Sequence, residues 1–355
     1  MRIGLNLGYW QAGPPPDMAA TLRTAEEAGL DSIWTSEAYG SDALTPLAWW
    51  GAHTTTLRLG TAVMQMSART PTAAAMAALT LDHLSNGRFN MGLGVSGPQI
   101  VEGWYGQPYT RPLERTREYI SIVRSVFRRE QPVSFSGKHY QLPLSPENSS
   151  ASVPAMGLGK PLKSTVHPLR TNLPIHLAAE GPKNIALAAE LCDGWLPFLY
   201  SPTLDHGFRD FLAEGFARRP DALSPQQEFE VNATVPVVPH ESVEHAAQQI
   251  RPFLALYIGG MGAKKANFHR AALERLGYAK VCADVASLYE QGKTDDAANA
   301  IPLELIDEVA LIGPVKRIAA NLHAWEKSVV TSILVHGPLE AALALVKAQS
   351  LNQKK

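Results

Sequence analysis

The chain has 355 residues, 45% of them hydrophobic and 18% charged, which is enough apolar material for a large core. A formal net charge of −1 leaves no surplus of Lys and Arg to displace counterions, so nucleic acid and anionic membrane surfaces are excluded as partners. Cys192 and Cys282 stand at no metal-ligand or disulfide-framework spacing and suit a reducing cytoplasm, and no run of about 18 apolar residues suggests a membrane span.

Strand-like and helix-like segments alternate from the first residues, which read as a strand and not as a leader peptide. "RIGLNLG" alternates Ile3, Leu5 and Leu7 with Gly4, Asn6 and Gly8, a period of two. After Pro14-Pro15-Pro16, Asp17 is placed to cap a helix with Met18, Leu22 and Ala25 on one face, ending near Gly29. "SIWTSE" is a second strand and "TPLAWWGAHTT" its helix; "LRLGTAVM" is a third, followed by the helix "TPTAAAMAALTLDHLS". "FNMGLGVS" is the fourth, and a long helix from about Pro112 buries Leu113, Ile120, Val123 and Phe127.

The rhythm breaks over 131–172, where a hairpin about Ser136-Gly137 precedes a Ser-, Pro- and Gly-rich stretch, an insertion after the fourth helix. "PIHLAAE" and "GWLPFLY" are strands five and six, and "EFEVNATVPVV" is the seventh. Residues from Glu241 to about Leu322 read as a mostly helical insertion broken at Gly259-Gly260 and Gly313-Pro314. "VVTSILVHG" is the eighth strand and "PLEAALALVKAQS" the closing helix. Eight strands with helical crossovers predict an α/β fold, a (β/α)8 barrel filling the chain 1–355 as one domain. No GxGxxG follows the first strand, which lowers a dinucleotide-binding open sheet.

Barrel sites gather on the loops after the strands' carboxyl ends. That rule selects Tyr9 and Trp10, Ser36 and Glu37, Ala62 to Met66, Ser96 to Gln99, Glu180 to Lys183, Phe198, Tyr200 and His336. Strand five runs straight into Glu180-Gly181-Pro182-Lys183. Pro suits a first helical position, Gly181 permits close approach of an anion, and Lys183 adds charge to free helix N–H groups. These residues predict either a phosphate seat or an ordinary strand–helix turn.

Six segments, "GYW", "AEEAGLDSIWTSE", "LRLGTAVM", "LDHLSNGRFNMGLGVSGPQIVEGWYG", "LAAEGPKNIALAAELCDGWLP" and "LIGPVKRIAANL", occur in the order found in the bacterial luciferase-like superfamily. The chain resembles its branch that uses the 8-hydroxy-5-deazaflavin coenzyme F420, and "SGPQIVEGWYG" and "GKPLKS" are similar to an actinobacterial group within it. The likeness spans roughly Arg2 to Val346 and is weakest over 220–300. It implies a luciferase-like TIM barrel, a deazaflavin in the strand-end cavity, and hydride transfer at its C5; the aromatic side chains of Tyr9, Trp10, Trp104, Tyr105 and Phe198 suit an apolar organic substrate. It further implies a non-prolyl cis peptide at Ala62–Val63 behind the ring, contacts to the ring system and linker from Ser96, Gly97 and Pro98, and a ring-edge and phosphate segment at Ala178, Ala179, Glu180, Gly181, Pro182 and Lys183. Glu180 is then expected to turn outward or pair with Lys183.

The chain departs from the branch's sugar-phosphate dehydrogenases at Ala38, where a proton-transferring histidine would stand, and near Pro98-Gln99, where a glutamate is missing. Glu37 keeps the acidic position and is the candidate catalytic or cofactor contact, with a solvated or capping glutamate as the alternative. Tyr9, His176 and Phe198 are candidate pocket walls, with Trp10, Trp104 and Tyr105 as further aromatics; each could equally be core or subunit contact. Lys160, Lys163 and Arg170 fit either the coenzyme's polyglutamate tail or a solvated loop. His83 and His139 lack partners at ligand spacing, so no metal is expected. A homodimer through helices two and three is expected. The rival readings are a flavin mononucleotide (FMN)-dependent monooxygenase, a non-catalytic deazaflavin carrier, and a flavin-free barrel enzyme acting on a phosphorylated compound.

Overall fold

The computed structural model describes residues 1–10, 12–261 and 267–353. Eight parallel strands carry the fold: β1 Arg2–Asn6, β2 Ser32–Thr35, β3 Arg58–Thr61, β4 Phe89–Gly94, β5 Ile175–Ala178, β6 Gly194–Leu196, β7 Glu230–Pro239 and β8 Ser332–His336. Each pairs with the next, and β1 pairs with β8, closing the ring expected from the alternation. The period of two has a simple meaning here. Ile3 and Leu5 face the outer helices, while Gly4 and Asn6 face the barrel interior beside Leu334 and Thr234.

The interior is filled in layers. Trp34 and His176 stack at 5.7 Å, and this is possible because Gly60 and Gly194 leave room that a Cβ would take from the indole and the imidazole. Below them, at the strands' amino ends, Glu230 bridges Arg2 (2.7 Å) and Arg58 (3.0 Å), and Arg58 also holds Asp31 (2.6 Å). His176 accepts from Asn232 at Nδ1 (3.0 Å), and burial lowers its pKa to about 4. Burial opposes ionisation of Glu230, but His176, Arg58 and Arg2 outweigh it and hold its pKa near 2.

The unfolded chain binds a proton on this histidine near pH 6.5, whereas the folded chain binds it only near 4, so stability falls as pH drops through that window. Urea unfolding at pH 7 and pH 4 is expected to show a loss of about 3 kcal/mol from this group. His176→Asn should flatten the slope between those values; an unchanged slope would remove His176 as its source.

The segment 131–172 forms the expected hairpin, Phe135–Ser136 against Gln141–Leu142. Helices Val243–Ala255, Phe268–Leu273, Ala279–Glu290, Thr294–Asn299 and Leu303–Val309 follow β7 and pack a core of their own around Ile250, Leu254, Val285 and Leu305. Residues 262–266 of the expected helical insertion lie outside the described residues. Two local expectations need correction. A three-residue strand, Leu311–Gly313, ends the insertion by pairing with Val237–Pro239, where Gly-Pro had read as a helix break. Asp17 does stand at a helix N-cap, but in the left-handed region (φ 53°); its backbone carbonyl, not its side chain, accepts from Ala20 and Thr21.

Candidate active site

At the carboxyl ends of the strands, Trp34, Leu196 and Leu334 form the topmost buried layer, and half-buried Ala62, Val63 and Ala178 rest upon it. The Ala62–Val63 peptide is cis. Its surroundings are tightly bonded: Ser36 donates from Oγ to the Ala62 carbonyl (2.6 Å), Ala62 N donates to Thr35 O (2.6 Å), and Glu37 N donates to Val63 O (3.1 Å). The result is a floor of small, flat apolar groups.

Glu37 does not face this floor as a free carboxylate. Its side chain is 3% exposed, and Arg69 grips it with two bonds, at 2.6 and 3.1 Å. The remaining acceptor capacity goes to the N–H groups of Gln65 (2.7 Å) and Ala43 (3.1 Å). The solvated picture does not fit, whereas the capping one does in part: the carboxylate takes the Ala43 N–H at the start of the helix Leu44–Gly51 and ties the loop after β2 to the segment after β3.

Two walls rise beside the floor. On one, Ser96 adopts φ 57° and its carbonyl accepts from Tyr109 Oη (3.2 Å), while Gly97 faces space that only the Gln99 side chain approaches, and Pro98 opens a short helix, Pro98–Gly103. On the other, Ala179 is buried with its carbonyl held by Trp195 Nε1 (2.8 Å). Gly181 then caps the helix Pro182–Leu191 without any side-chain cap, and a Cβ built on it would meet nothing within 4 Å. Lys183 is exposed at this end, and the buried Asn184 Oδ1 has no hydrogen-bond partner among the described residues. Pro182 has no N–H, and Asn184 and Ile185 donate theirs to the Gly181 carbonyl (both 3.0 Å), so the open backbone at Gly181, the remaining N–H of Lys183 and the lysine charge are what fit a phosphate.

Glu180 neither turns outward nor pairs with Lys183. One carboxylate oxygen lies 2.6 Å from His269 Nδ1, and Arg275 donates to its carbonyl (2.7 Å). Both partners belong to the helical insertion, which thereby reaches over the mouth. Phe198 meets the same element: its ring lies 4.7 Å from Tyr257, 5.3 Å from His269 and 5.9 Å from Phe253. Phe253 in turn packs on His336 at 5.1 Å, and Tyr9 faces Tyr39 at 6.3 Å across the opening. The insertion's residues Phe253, Tyr257 and His269 were invisible as site residues, because nothing in a helical pattern says which turn covers a distant strand end.

His176 belongs to the lower barrel, two residues below Ala178, and is a satisfied core histidine instead of a pocket wall. Trp10 packs on Trp50 at 5.7 Å, Tyr105 donates to Ala38 O (3.2 Å), and Trp104 is exposed. Arg170 binds Asp82 and the Phe89 carbonyl at the amino end of β4, away from the mouth, and Lys163 donates to Glu130 O. Among the described residues no group of three or more His, Cys, Asp or Glu is placed to hold a metal, and no helix is long and apolar enough to cross a membrane.

A family model described as luciferase-like monooxygenase matches residues 2–332. The chain belongs to that family. A Mycobacterium tuberculosis protein provisionally named a coenzyme F420-dependent oxidoreductase is 53% identical over 94% of both chains. The 5,10-methylenetetrahydromethanopterin reductase of Archaeoglobus fulgidus is 23% identical, covering 90% of this chain and 88% of its own. Among known structures, the coenzyme F420-dependent tetrahydromethanopterin reductase of Methanopyrus kandleri superposes with a TM-score of 0.78 at 17% identity over 98% of each chain, a likeness of fold. This luciferase-like chain thus carries its family's barrel with the small-residue floor and the open helix terminus at one end.

Proposed function

We propose that this luciferase-like protein is a coenzyme F420-dependent oxidoreductase of uncharged, largely apolar organic molecules. The observation that carries the reading is the 53% identity, over nearly the whole chain, to a protein named for that coenzyme. The geometry supports it. Ala62, Val63 and Ala178 offer a flat ring a floor of small groups, and Gly181 with the backbone N–H and ammonium of Lys183 would meet its phosphodiester.

Bound there, the coenzyme supplies hydride chemistry at its C5. The chain's part is to hold and to dry the site. The Ser36, Glu37 and Arg69 bonds fix the floor, while Phe198, Phe253 and Tyr257 wall the substrate side with aromatic surface and keep water out. The test is anaerobic turnover: the oxidised coenzyme's visible absorbance should bleach with alcohols or other hydride donors, without oxygen uptake. Oxygen consumption with FMN would move the protein to the monooxygenase reading, and coenzyme binding without turnover across many donors and acceptors would make it a carrier.

The protein is further proposed to act in the cytoplasm as a homodimer. Helices Leu44–Gly51 and Pro71–Leu84 expose Trp49 (73%) and Met76 (61%), large apolar groups with nothing covering them in the single chain. Light scattering is expected to give twice the chain mass, and the double variant Trp49→Glu, Met76→Glu to give the monomer. A wild-type monomer at working concentration would overturn the proposal.

A further inference from the structure

With Glu37 locked and Ala38 in place of a histidine, the mouth needs another group to exchange a proton with substrate. Strand alternation supplies one. His336 ends β8, opposite Asn6 of β1 and Pro236 of β7, and lies two residues beyond Leu334. Leu334 is part of the layer beneath Ala62, Val63 and Ala178, so His336 projects from the same inward face, one step nearer the opening. Its ring rests on Phe253, and it has no hydrogen-bond partner among the described residues.

Most other polar groups around the mouth are paired with one another, and Glu180 and His269, which each keep an unbonded atom, face each other under the helical insertion and not the inward face of β8. Glu37 is held by Arg69, Glu180 lies against His269, Arg275 donates to the Glu180 carbonyl, Tyr105 donates to Ala38 O, and Asn6 donates to Thr234 Oγ1 (3.3 Å). The Tyr9 and Tyr257 hydroxyls are pushed up by burial and stay protonated at neutral pH. The neighbours that face His336 from each adjoining element, Asn6, Pro236 and Phe253, carry no charge. Burial alone therefore acts on its proton affinity and lowers it, leaving the imidazole neutral and able to accept a proton.

We infer that His336 is the catalytic acid–base of this site, acting on an uncharged alcohol or the matching carbonyl compound. The inference rests on the coenzyme F420 reading above. In the oxidative direction the carbinol C–H bond breaks with its electron pair, which passes as hydride to the deazaflavin. The O–H bond gives its proton to a ring nitrogen of His336, the C=O bond forms, and the imidazolium returns the proton to solvent. The reverse path protonates the alkoxide oxygen formed from the carbonyl compound. Absence of an unpaired charge on the inward face is what selects an uncharged substrate, because a charged group would be desolvated there without a partner.

The test uses coenzyme-loaded protein with cyclohexanol and cyclohexanone as probes, comparing wild type with His336→Gln. The variant should bind the coenzyme as wild type does in a fluorescence titration. Its kcat should fall by about 100-fold or more with KM little changed, and the acid limb of the wild-type pH profile should disappear. Independently of turnover, the His336 ring resonance in histidine-labelled protein, identified by its loss in the variant, should shift when either probe is added. A resonance indifferent to both probes, or a variant within twofold of wild type with the same pH limb, would overturn the assignment. Wild-type protein that binds no coenzyme would instead defeat the cofactor reading on which it rests.

Discussion

Replacing Glu37 by alanine is expected to lower the unfolding free energy by about 3–5 kcal/mol, because it leaves the Arg69 guanidinium and two backbone N–H groups without their acceptor in a nearly buried site. Glu37→Gln keeps one acceptor oxygen and should lose part of that amount. Denaturant unfolding measures both. The loss should reach the coenzyme as well, since the same carboxylate ties Gln65 and Ala43 together behind the Ala62–Val63 floor, so affinity should drop in step with stability. The contrary result would be a Glu37→Gln variant as stable as wild type but inactive, which is the signature of a proton-transferring carboxylate and would return Glu37 to the chemistry.

A second large effect is expected at Gly181, and of the opposite character. Its φ of −90° and ψ of 150° are open to any residue, and a Cβ there meets nothing within 4 Å. Gly181→Phe should therefore fold with unchanged stability while its ring fills the space above the helix N–H groups of Pro182–Leu191. If that space is the phosphate seat, coenzyme affinity should fall by about 100-fold, roughly 3 kcal/mol, at an unaltered unfolding midpoint. Lys183→Ala should cost less, about tenfold, and its effect should fade at high salt as an exposed charge is screened. An unimpaired Gly181→Phe variant would mean that the coenzyme does not use this helix terminus.

The barrel was legible because each strand's alternation reports a local fact, which face meets the outer helices, and because Gly and Pro mark where strands end. Ala62, Val63, Ser96, Gly97 and the Glu180–Lys183 segment could be placed at one end by that rule alone. What escaped were contacts whose two halves lie far apart in the chain. His269 reaches Glu180 from the insertion, and Phe253 covers His336 from another turn of it. Arg69 reaches back to Glu37 across β3. No local pattern encodes such pairings, and an acidic residue at a loop reads the same whether it faces solvent, substrate or a buried arginine. His176 illustrates the complementary error: alternation correctly turned it inward but does not say at what height in the barrel it sits, and it belongs to the layer below the site.

The most direct test of the account is a fluorescence titration of the purified protein with coenzyme F420 and, separately, with FMN. The account predicts saturable deazaflavin binding at micromolar concentration or below, not displaced by excess FMN and weakened by Gly181→Phe. Preferential binding of FMN, or binding of neither, would contradict it.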